Sequence, residues 1–345
     1  MKKIKLIKNL LFVASLIGNV FLFYQHSVNK ADLYDASEKA KFFQNQVKEN
    51  KAQAASVQTN DTQENQQEIS NQRLHTKANF TNLFNMTKIP KSQILQFYTF
   101  RQGLTIRGHE FIHPGTKRPT MIISDGYGGN QFNASRWVAR QYNAGYNVYI
   151  FDFAGGSPIS ESDGSTTNMS VKTESQDLNA VINYVRSIST TDTSNLVLEG
   201  NSQGGFVSAM VAAQRPNQIA KLILHYPAFN IPDDSRNGKV QGNTFNPKNP
   251  PATLNTQNGF MTTGRRYMLD AQSINIWSII QNFKKPVIMT YGTSDGLVPQ
   301  SAFHKAKQTY TNLTSIPIKG IGRQHGFNNP NDFTIAQNAD INFLK

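Results

Sequence analysis

The segment from Leu196 to Gly205 constrains the fold more than any other part of the chain. A short apolar run ends in Gly-Asn-Ser-Gln-Gly at positions 200–204, and a stretch with helical character follows it. A serine in a sharp turn between a strand and a helix adopts strained backbone angles, and glycines beside it avoid collisions across the turn. The segment therefore predicts a strand, a tight turn at Ser202 and a helix that packs back against the strand.

Strands and helices alternate from about residue 90 onward. Continuous apolar runs such as Met121–Ile123 and Leu222–Leu224 are typical of parallel strands that are covered on both faces. The predicted strands are 96–101, 104–112, 120–124, 147–153, 196–199, 221–225, 287–291 and 315–318, and the predicted helices are 134–143, 173–188, 203–214, 273–282, 300–311 and 331–344. This alternation predicts an α/β fold with a mostly parallel eight-stranded sheet flanked by helices.

The pattern divides the chain into a hydrophobic segment (1–29), a polar stalk (30–80) and a folded domain (90–345). Residues 227–285 form an insertion between the sixth and seventh predicted strands. Its first half is rich in Asn, Pro and Gly, and its second half has the character of a helix. An insertion of this length is too long for an ordinary loop, so we expect a lid or cap over a binding site.

The first thirty residues resemble an export or anchoring signal. Four lysines precede an apolar run at 10–24, and no small-x-small cleavage site follows Tyr24. Fifteen helical residues cover roughly 22 Å, and the lysine side chains extend the span by reaching toward the interface. We expect an uncleaved single-pass anchor in the cell membrane, with the folded domain on the extracellular side, or a secreted protein if the segment is cleaved.

The composition limits the remaining function classes. The chain has no cysteine, which excludes disulfides, thiolate metal sites and a cysteine nucleophile. The net charge of +13 is spread along the chain without a run of basic and aromatic residues, so we expect no nucleic-acid partner. From 44 to 72, 13 of 29 residues are Asn or Gln, which indicates a flexible or partly helical spacer. The oligomeric state stays open.

A serine nucleophile needs a base, and the base needs an orienting acid. In a sheet with a serine turn of this kind, the acid and then the histidine follow the serine along the chain. His225 has no carboxylate between itself and Ser202, and His304 lies within a predicted helix, whereas His325 lies in a glycine-flanked loop after the last strand. We therefore predict that His325 is the base.

Asp295 is the best candidate for the acid because it comes just past the carboxyl end of the strand 287–291. Three aspartates of the insertion, Asp233, Asp234 and Asp270, remain alternatives if the insertion supplies the acid. Two backbone N–H groups are predicted to hold the oxyanion. One belongs to Gln203, directly after the serine, and the other to Tyr127 in the glycine-rich loop after the third strand.

From about Leu104 to the carboxyl end, the chain resembles the α/β-hydrolase superfamily, and within it the bacterial cinnamoyl or feruloyl esterases. The motifs that carry the likeness are Phe-Asp-Phe-Ala-Gly-Gly-Ser at 151–157, Gly-Asn-Ser-Gln-Gly-Gly at 200–205, Gly-Thr-Ser-Asp-Gly at 292–296 and Gln-His-Gly at 324–326. The resemblance implies Ser202 as nucleophile, His325 as base, Asp295 as acid, and oxyanion donors at Tyr127 and Gln203. It also implies that no metal or organic cofactor takes part.

The function expected from these observations is the hydrolysis of a small-molecule carboxylic ester through an acyl-enzyme. The same residues on the same fold also serve serine aminopeptidases, amidases and monoacylglycerol lipases, and a catalytically inactive surface-binding protein is a further alternative. The chain departs from the family at one position, where Asp125-Gly126 replaces the usual His-Gly. We expect this additional carboxylate to affect substrate choice or the response to pH.

Overall fold

A computed structural model describes residues 89–256, 259–319 and 325–345. The predicted anchor (1–29) and stalk (30–80) lie outside these residues. Among the residues that are described, no helix has both the length and the apolar character needed to cross a membrane.

An eight-stranded sheet forms the centre of the domain, as the sequence predicts. Its strands, with those of the insertion numbered in chain order, are β1 (Ile94–Arg101), β2 (Leu104–Phe111), β3 (Arg118–Ser124), β4 (Asn147–Phe151), β5 (Thr191–Asn201), β6 (Lys221–His225), β11 (Val287–Gly292) and β12 (Leu313–Ile318). The spatial order is β1-β2-β4-β3-β5-β6-β11-β12. The two pairs that involve β2 are antiparallel, and all other neighbouring pairs in this sheet are parallel.

Helices cover the sheet, which explains the continuous apolar runs in its strands. Met121–Ile123 of β3 and Leu222–Leu224 of β6 are completely buried. The helices are α1 (Gln131–Asn143), α2 (Val171–Ser187), α3 (Gln203–Gln214), α4 (Ile231–Arg236), α5 (Arg265–Gln272), α6 (Ile276–Ile280), α7 (Gln300–Thr309) and α8 (Pro330–Leu344). The predicted helices of the main domain are therefore confirmed, with shifts of a few residues at their ends.

The insertion lies between the sixth and seventh strands of the sheet, β6 and β11. It holds α4, α5 and α6 and two small antiparallel hairpins, made of β7 (Lys239–Val240) with β8 (Asn243–Thr244) and β9 (Thr253–Thr256) with β10 (Met261–Gly264). The sequence predicted a helix over 273–282, but α6 is shorter. The Asn275 side chain accepts a hydrogen bond from the backbone N–H of Ser278, which caps the helix and fixes its start at Ile276.

Candidate active site

The turn between β5 and α3 holds Ser202 in a left-handed conformation, with φ 52° and ψ −117°. A Cβ at Gly200 would lie 2.4 Å from the carbonyl oxygen of Gly204, and a Cβ at Gly204 would lie 2.3 Å from that of Ser124. Only glycine fits at either position. The Ser202 backbone N–H donates to the carbonyl of His225 at 2.9 Å, which ties the turn to β6. Strain of this kind costs about 1–3 kcal/mol and is typical of functional sites.

His325 joins Ser202 to Asp295 across the edge of the sheet. Its Nε2 lies 2.9 Å from Ser202 Oγ, and its Nδ1 lies 2.9 Å from Asp295 Oδ2. The backbone N–H groups of Leu297 and Val298 donate to the other oxygen of Asp295 at 2.8 and 2.9 Å. The Asp295 carboxylate is completely buried, so its direction is fixed from both sides. The structure thus brings together the three side chains that the sequence selected.

The alternative histidines and acids lie elsewhere in the structure. His304 is exposed on α7, and His225 is buried in the sheet. Asp233 forms an ion pair with Arg236, and Asp270 accepts a hydrogen bond from Ser170 Oγ. Asp234 lines the pocket at the serine instead of contacting the histidine.

Arg136 of α1 holds the loop that carries His325, which the sequence did not reveal. Its Nη1 and Nη2 donate to the carbonyl oxygens of Gly326 and Phe327 at 2.9 and 2.8 Å. The guanidinium carbon also lies 3.8 Å from the centre of the Phe333 ring. Two parallel hydrogen bonds from one planar group fix the backbone immediately after the histidine.

The two residues predicted to supply oxyanion N–H groups are fixed by their side chains to the insertion. Gln203 is the first residue of α3, where a backbone N–H has no acceptor within the helix. Its side chain donates to Glu174 Oε2 at 2.8 Å and accepts from Tyr267 Oη at 2.6 Å. The Tyr127 hydroxyl is hydrogen-bonded to the hydroxyls of Thr256 and Thr263.

The glycine-rich loop after β3 lies directly against the serine. A Cβ at Gly126 would lie 3.1 Å from Ser202 Cβ, so only glycine lets the loop approach this closely without displacement. Next to it, burial raises the pKa of Asp125 to about 7, against hydrogen bonding from Gly126 and the positive charge of Arg136. The additional carboxylate therefore has a pKa near neutral pH, and it accepts a hydrogen bond from the side chain of Asn201, the residue before the serine, at 3.4 Å.

A small pocket of about 70 Å³ opens at Ser202 and His325. The insertion supplies most of its wall, including Asp234, Lys239 and Tyr267, and the segment after Asp295 supplies the rest. Within α5, Tyr267 lines the pocket, whereas Arg265 and Arg266 are exposed.

The chain is similar in sequence to one known family and in fold to several solved structures. Residues 115–258 match the sequence profile of the family described as serine aminopeptidase, S33. Est1E from Butyrivibrio proteoclasticus, in a structure with bound ferulic acid, is 23% identical with a TM-score of 0.67, and the match covers 72% of this chain and 97% of that chain. No curated protein sequence matches the chain.

Two further solved structures are similar in fold. The α/β hydrolase GrgF from a Penicillium species is 17% identical with a TM-score of 0.59, covering 73% of this chain and 98% of that one. A monoacylglycerol lipase from Paleococcus ferrophilus is 18% identical with a TM-score of 0.51, covering 67% and 95%. The domain therefore has the α/β-hydrolase fold. The family match and the serine at its strand–helix turn identify the protein as a hydrolytic enzyme.

Proposed function

We propose that the protein hydrolyses carboxylic esters through an acyl-enzyme formed on Ser202. The observation that carries the proposal is the hydrogen-bonded chain from Ser202 through His325 to Asp295. His325 Nε2 takes the proton of the serine as Oγ attacks the ester carbonyl, and Asp295 holds the imidazole in the tautomer that this step needs. The alcohol leaves with that proton, and a water molecule activated by His325 then releases the acid.

In this mechanism the backbone N–H groups of Tyr127 and Gln203 donate hydrogen bonds to the negatively charged oxygen of the tetrahedral intermediate. The helix N-terminus at Gln203 also favours negative charge. Because the side chains of both residues bond to other parts of the domain, their N–H groups are held before substrate binds. Donors that are already in position stabilise the transition state more than donors that must first reorient.

A substrate panel on the full-length protein tests this function. We expect turnover of aryl esters, including feruloyl and other cinnamoyl esters because the structural neighbour Est1E binds ferulic acid. Labelling of Ser202 by a fluorophosphonate probe, read by mass spectrometry, accompanies the assay. No labelling and no turnover of any ester would contradict the proposal.

A peptidase is the second candidate because the matched family is described as a serine aminopeptidase. A monoacylglycerol lipase is the third, supported by one of the structural neighbours. Peptide anilides and monoacylglycerols in the same panel separate the three. Anilide cleavage with a higher kcat/KM than any ester would assign the enzyme to amide bonds, with the same three residues in the same roles.

We also propose that the enzyme is held at the cell membrane by residues 1–29 and acts on the extracellular side. The support is the sequence of this segment, with lysines before an apolar run. Fractionation of cells and protease treatment of intact cells test it. We expect the enzyme in the membrane fraction, and we expect protease added to intact cells to digest its folded domain. Recovery of the enzyme in the cytosol would contradict the proposal.

Replacing Arg136 by Lys is expected to lower kcat about 10- to 100-fold with little change in KM, because lysine cannot hold both carbonyls of the His325 loop. The measurement is steady-state hydrolysis of an aryl ester, with thermal unfolding to show that the fold persists. Arg140→Lys, one turn further along α1, is the matched control and should retain full activity. Equal kcat for both variants would contradict this role of Arg136.

Replacing Asp125 by Asn is expected to change how stability depends on pH. Its pKa near 7 in the folded protein exceeds the usual value near 3.9, so between these pH values the folded state binds a proton that the unfolded chain does not. The free energy of unfolding therefore falls as pH rises through this range. In Asp125→Asn this part of the pH dependence is absent, because the asparagine side chain does not ionise.

We expect the Tm of the wild-type protein to fall roughly 2–5 °C more than that of Asp125→Asn between pH 5 and pH 8. Other buried carboxyls with raised pKa values, such as Glu161, are present in both proteins, so their effects cancel when the two falls in Tm are subtracted. Differential scanning calorimetry at several pH values measures it. Parallel Tm curves would show that Asp125 does not titrate in this range.

A further inference from the structure

A second group of chemically reactive side chains is buried away from the Ser202 site. Glu199 lies on β5, His225 at the end of β6 and Asp340 on α8, and all three are completely buried. His225 Nε2 lies 3.4 Å from Glu199 Oε1 and 3.4 Å from Asp340 Oδ2. One nitrogen or oxygen of each residue lies within 4.8 Å of those of the other two.

The polar atoms that face one another in this cluster form no hydrogen bonds. Among the described residues, His225 Nε2, Glu199 Oε1 and both carboxylate oxygens of Asp340 are buried without a hydrogen-bond partner. Buried polar groups are otherwise almost always paired, and a buried carboxylate without a donor is costly. Two buried carboxylates this close to one imidazole are stabilised by a positive charge within the cluster.

In contrast, the polar atoms of His225 and Glu199 that point away from the centre of the cluster do form hydrogen bonds. His225 Nδ1 lies 2.7 Å from Thr290 Oγ1, and Gln141 Nε2 donates to the second oxygen of Glu199 at 3.0 Å. Trp137 stacks on the imidazole with 3.9 Å between ring centres. When Nδ1 donates to the threonine, the lone pair of Nε2 faces the two carboxylates. Histidine ligands of metals are held by such a bond at the opposite nitrogen.

The spacing of the cluster is compatible with a bound metal ion. Ligands of tetrahedral zinc at 2.0–2.2 Å stand about 3.3–3.6 Å from one another, and both nitrogen–oxygen distances are 3.4 Å. Charged hydrogen bonds between nitrogen and oxygen are about 2.7–2.9 Å long. One imidazole and two carboxylates also form a donor set that suits zinc, and a divalent cation balances the two negative charges.

We propose that Glu199, His225 and Asp340 bind a divalent transition metal ion, with zinc the best fit, as a structural site. The ion joins β5 and β6 to α8, the last helix of the chain. The carbonyl of His225 accepts the backbone N–H of Ser202, so the site also supports the turn that holds the serine. The ion takes no part in the reaction at Ser202, and the site stands independently of the substrate proposed above.

The competing occupant is a proton on His225. Burial lowers the pKa of His225, but the two carboxylates outweigh this effect and raise the pKa to about 9, so a buried imidazolium is the alternative to a metal ion. The test must therefore distinguish one bound zinc ion from one bound proton.

The full-length protein is unfolded in urea with a chelator and refolded with either zinc or chelator, because a buried site fills as the chain folds. We expect about one zinc ion per chain after desalting, measured by inductively coupled plasma mass spectrometry. We expect a Tm about 5–10 °C higher with zinc than with chelator. Asp340→Asn and His225→Gln should lose both effects, and His304→Gln on the exposed side of α7 should retain both.

A measurement on the wild-type protein keeps the proposal testable if the variants fail to fold. Refolding with cobalt should give the strong visible absorption of a tetrahedral site, and one equivalent of zinc should abolish it. A wild-type protein that binds far less than one zinc ion per chain, with the same Tm in zinc and chelator, would overturn the proposal. Zinc that remains bound in Asp340→Asn would equally overturn it.

Discussion

Ser202→Ala is expected to lower kcat for an aryl ester by about 10⁵-fold, with little change in KM or Tm. The estimate follows from the unit formed by Ser202, His325 and Asp295, because removing the nucleophile abolishes the benefit of the base and the acid as well. The two predicted oxyanion donors survive the change, so a residual rate above that in water should remain. Alanine accepts the same left-handed backbone about as poorly as serine, which is why stability should change little.

The serine of the next helical turn provides the matched control. Ser208 is buried in α3, the helix that follows Ser202, and its Oγ has no hydrogen-bond partner among the described residues, so Ser208→Ala removes the same kind of atom without touching the proposed chemistry. The measurement is steady-state kinetics of both variants together with fluorophosphonate labelling. We expect full labelling of Ser208→Ala and none of Ser202→Ala. Activity of Ser202→Ala within tenfold of wild type would mean that another group is the nucleophile.

The sequence predicts the architecture well where one local pattern determines the outcome. Apolar runs marked the strands because helices bury both faces of a parallel sheet, and the glycines around Ser202 marked a turn that other residues cannot form. Chain order then selected His325 and Asp295 from several candidates. The ends of elements were less accurate, as at α6, because the Asn275 side chain decides where that helix begins.

Contacts between distant parts of the chain could not be predicted in the same way. Arg136 reaches Phe327 across 191 positions, and Tyr127 reaches Thr263 across 136. No periodicity links such residues, since each pair meets only after the sheet and the insertion have folded. The sequence assigned Tyr127 and Gln203 by their backbone N–H groups alone, and their side-chain contacts with the insertion and with α2 emerge only from the structure.

These long-range contacts give the insertion a role in the geometry of the site as well as in its wall. Tyr267 donates to the side chain of Gln203 and also lines the pocket. Thr256 and Thr263 fix the ring of Tyr127 from the β9–β10 hairpin. Two residues proposed to hold the oxyanion are thus tied to the segment that lines the pocket. We therefore expect changes of substrate preference made in this segment to alter kcat as well as KM.

Asp295→Asn tests the orientation of the histidine and is expected to lower kcat by about 10⁴-fold. The backbone N–H groups of Leu297 and Val298 will bind the amide oxygen of the asparagine, because they donate and cannot accept. The amide NH₂ is then turned toward His325 Nδ1, which must accept instead of donating. The ring proton moves to Nε2, where it faces Ser202 Oγ and prevents the histidine from acting as a base.

Asp233→Asn is the matched control, since Asp233 was an alternative acid in the sequence and forms an exposed ion pair with Arg236. It should keep full kcat. Steady-state kinetics measures both variants, and proton NMR of the imidazole of His325 reports the tautomer directly, with the proton expected on Nδ1 in the wild type and on Nε2 in Asp295→Asn. A variant that retains kcat within tenfold, or keeps the proton on Nδ1, would show that the carboxylate does not set the orientation of the base.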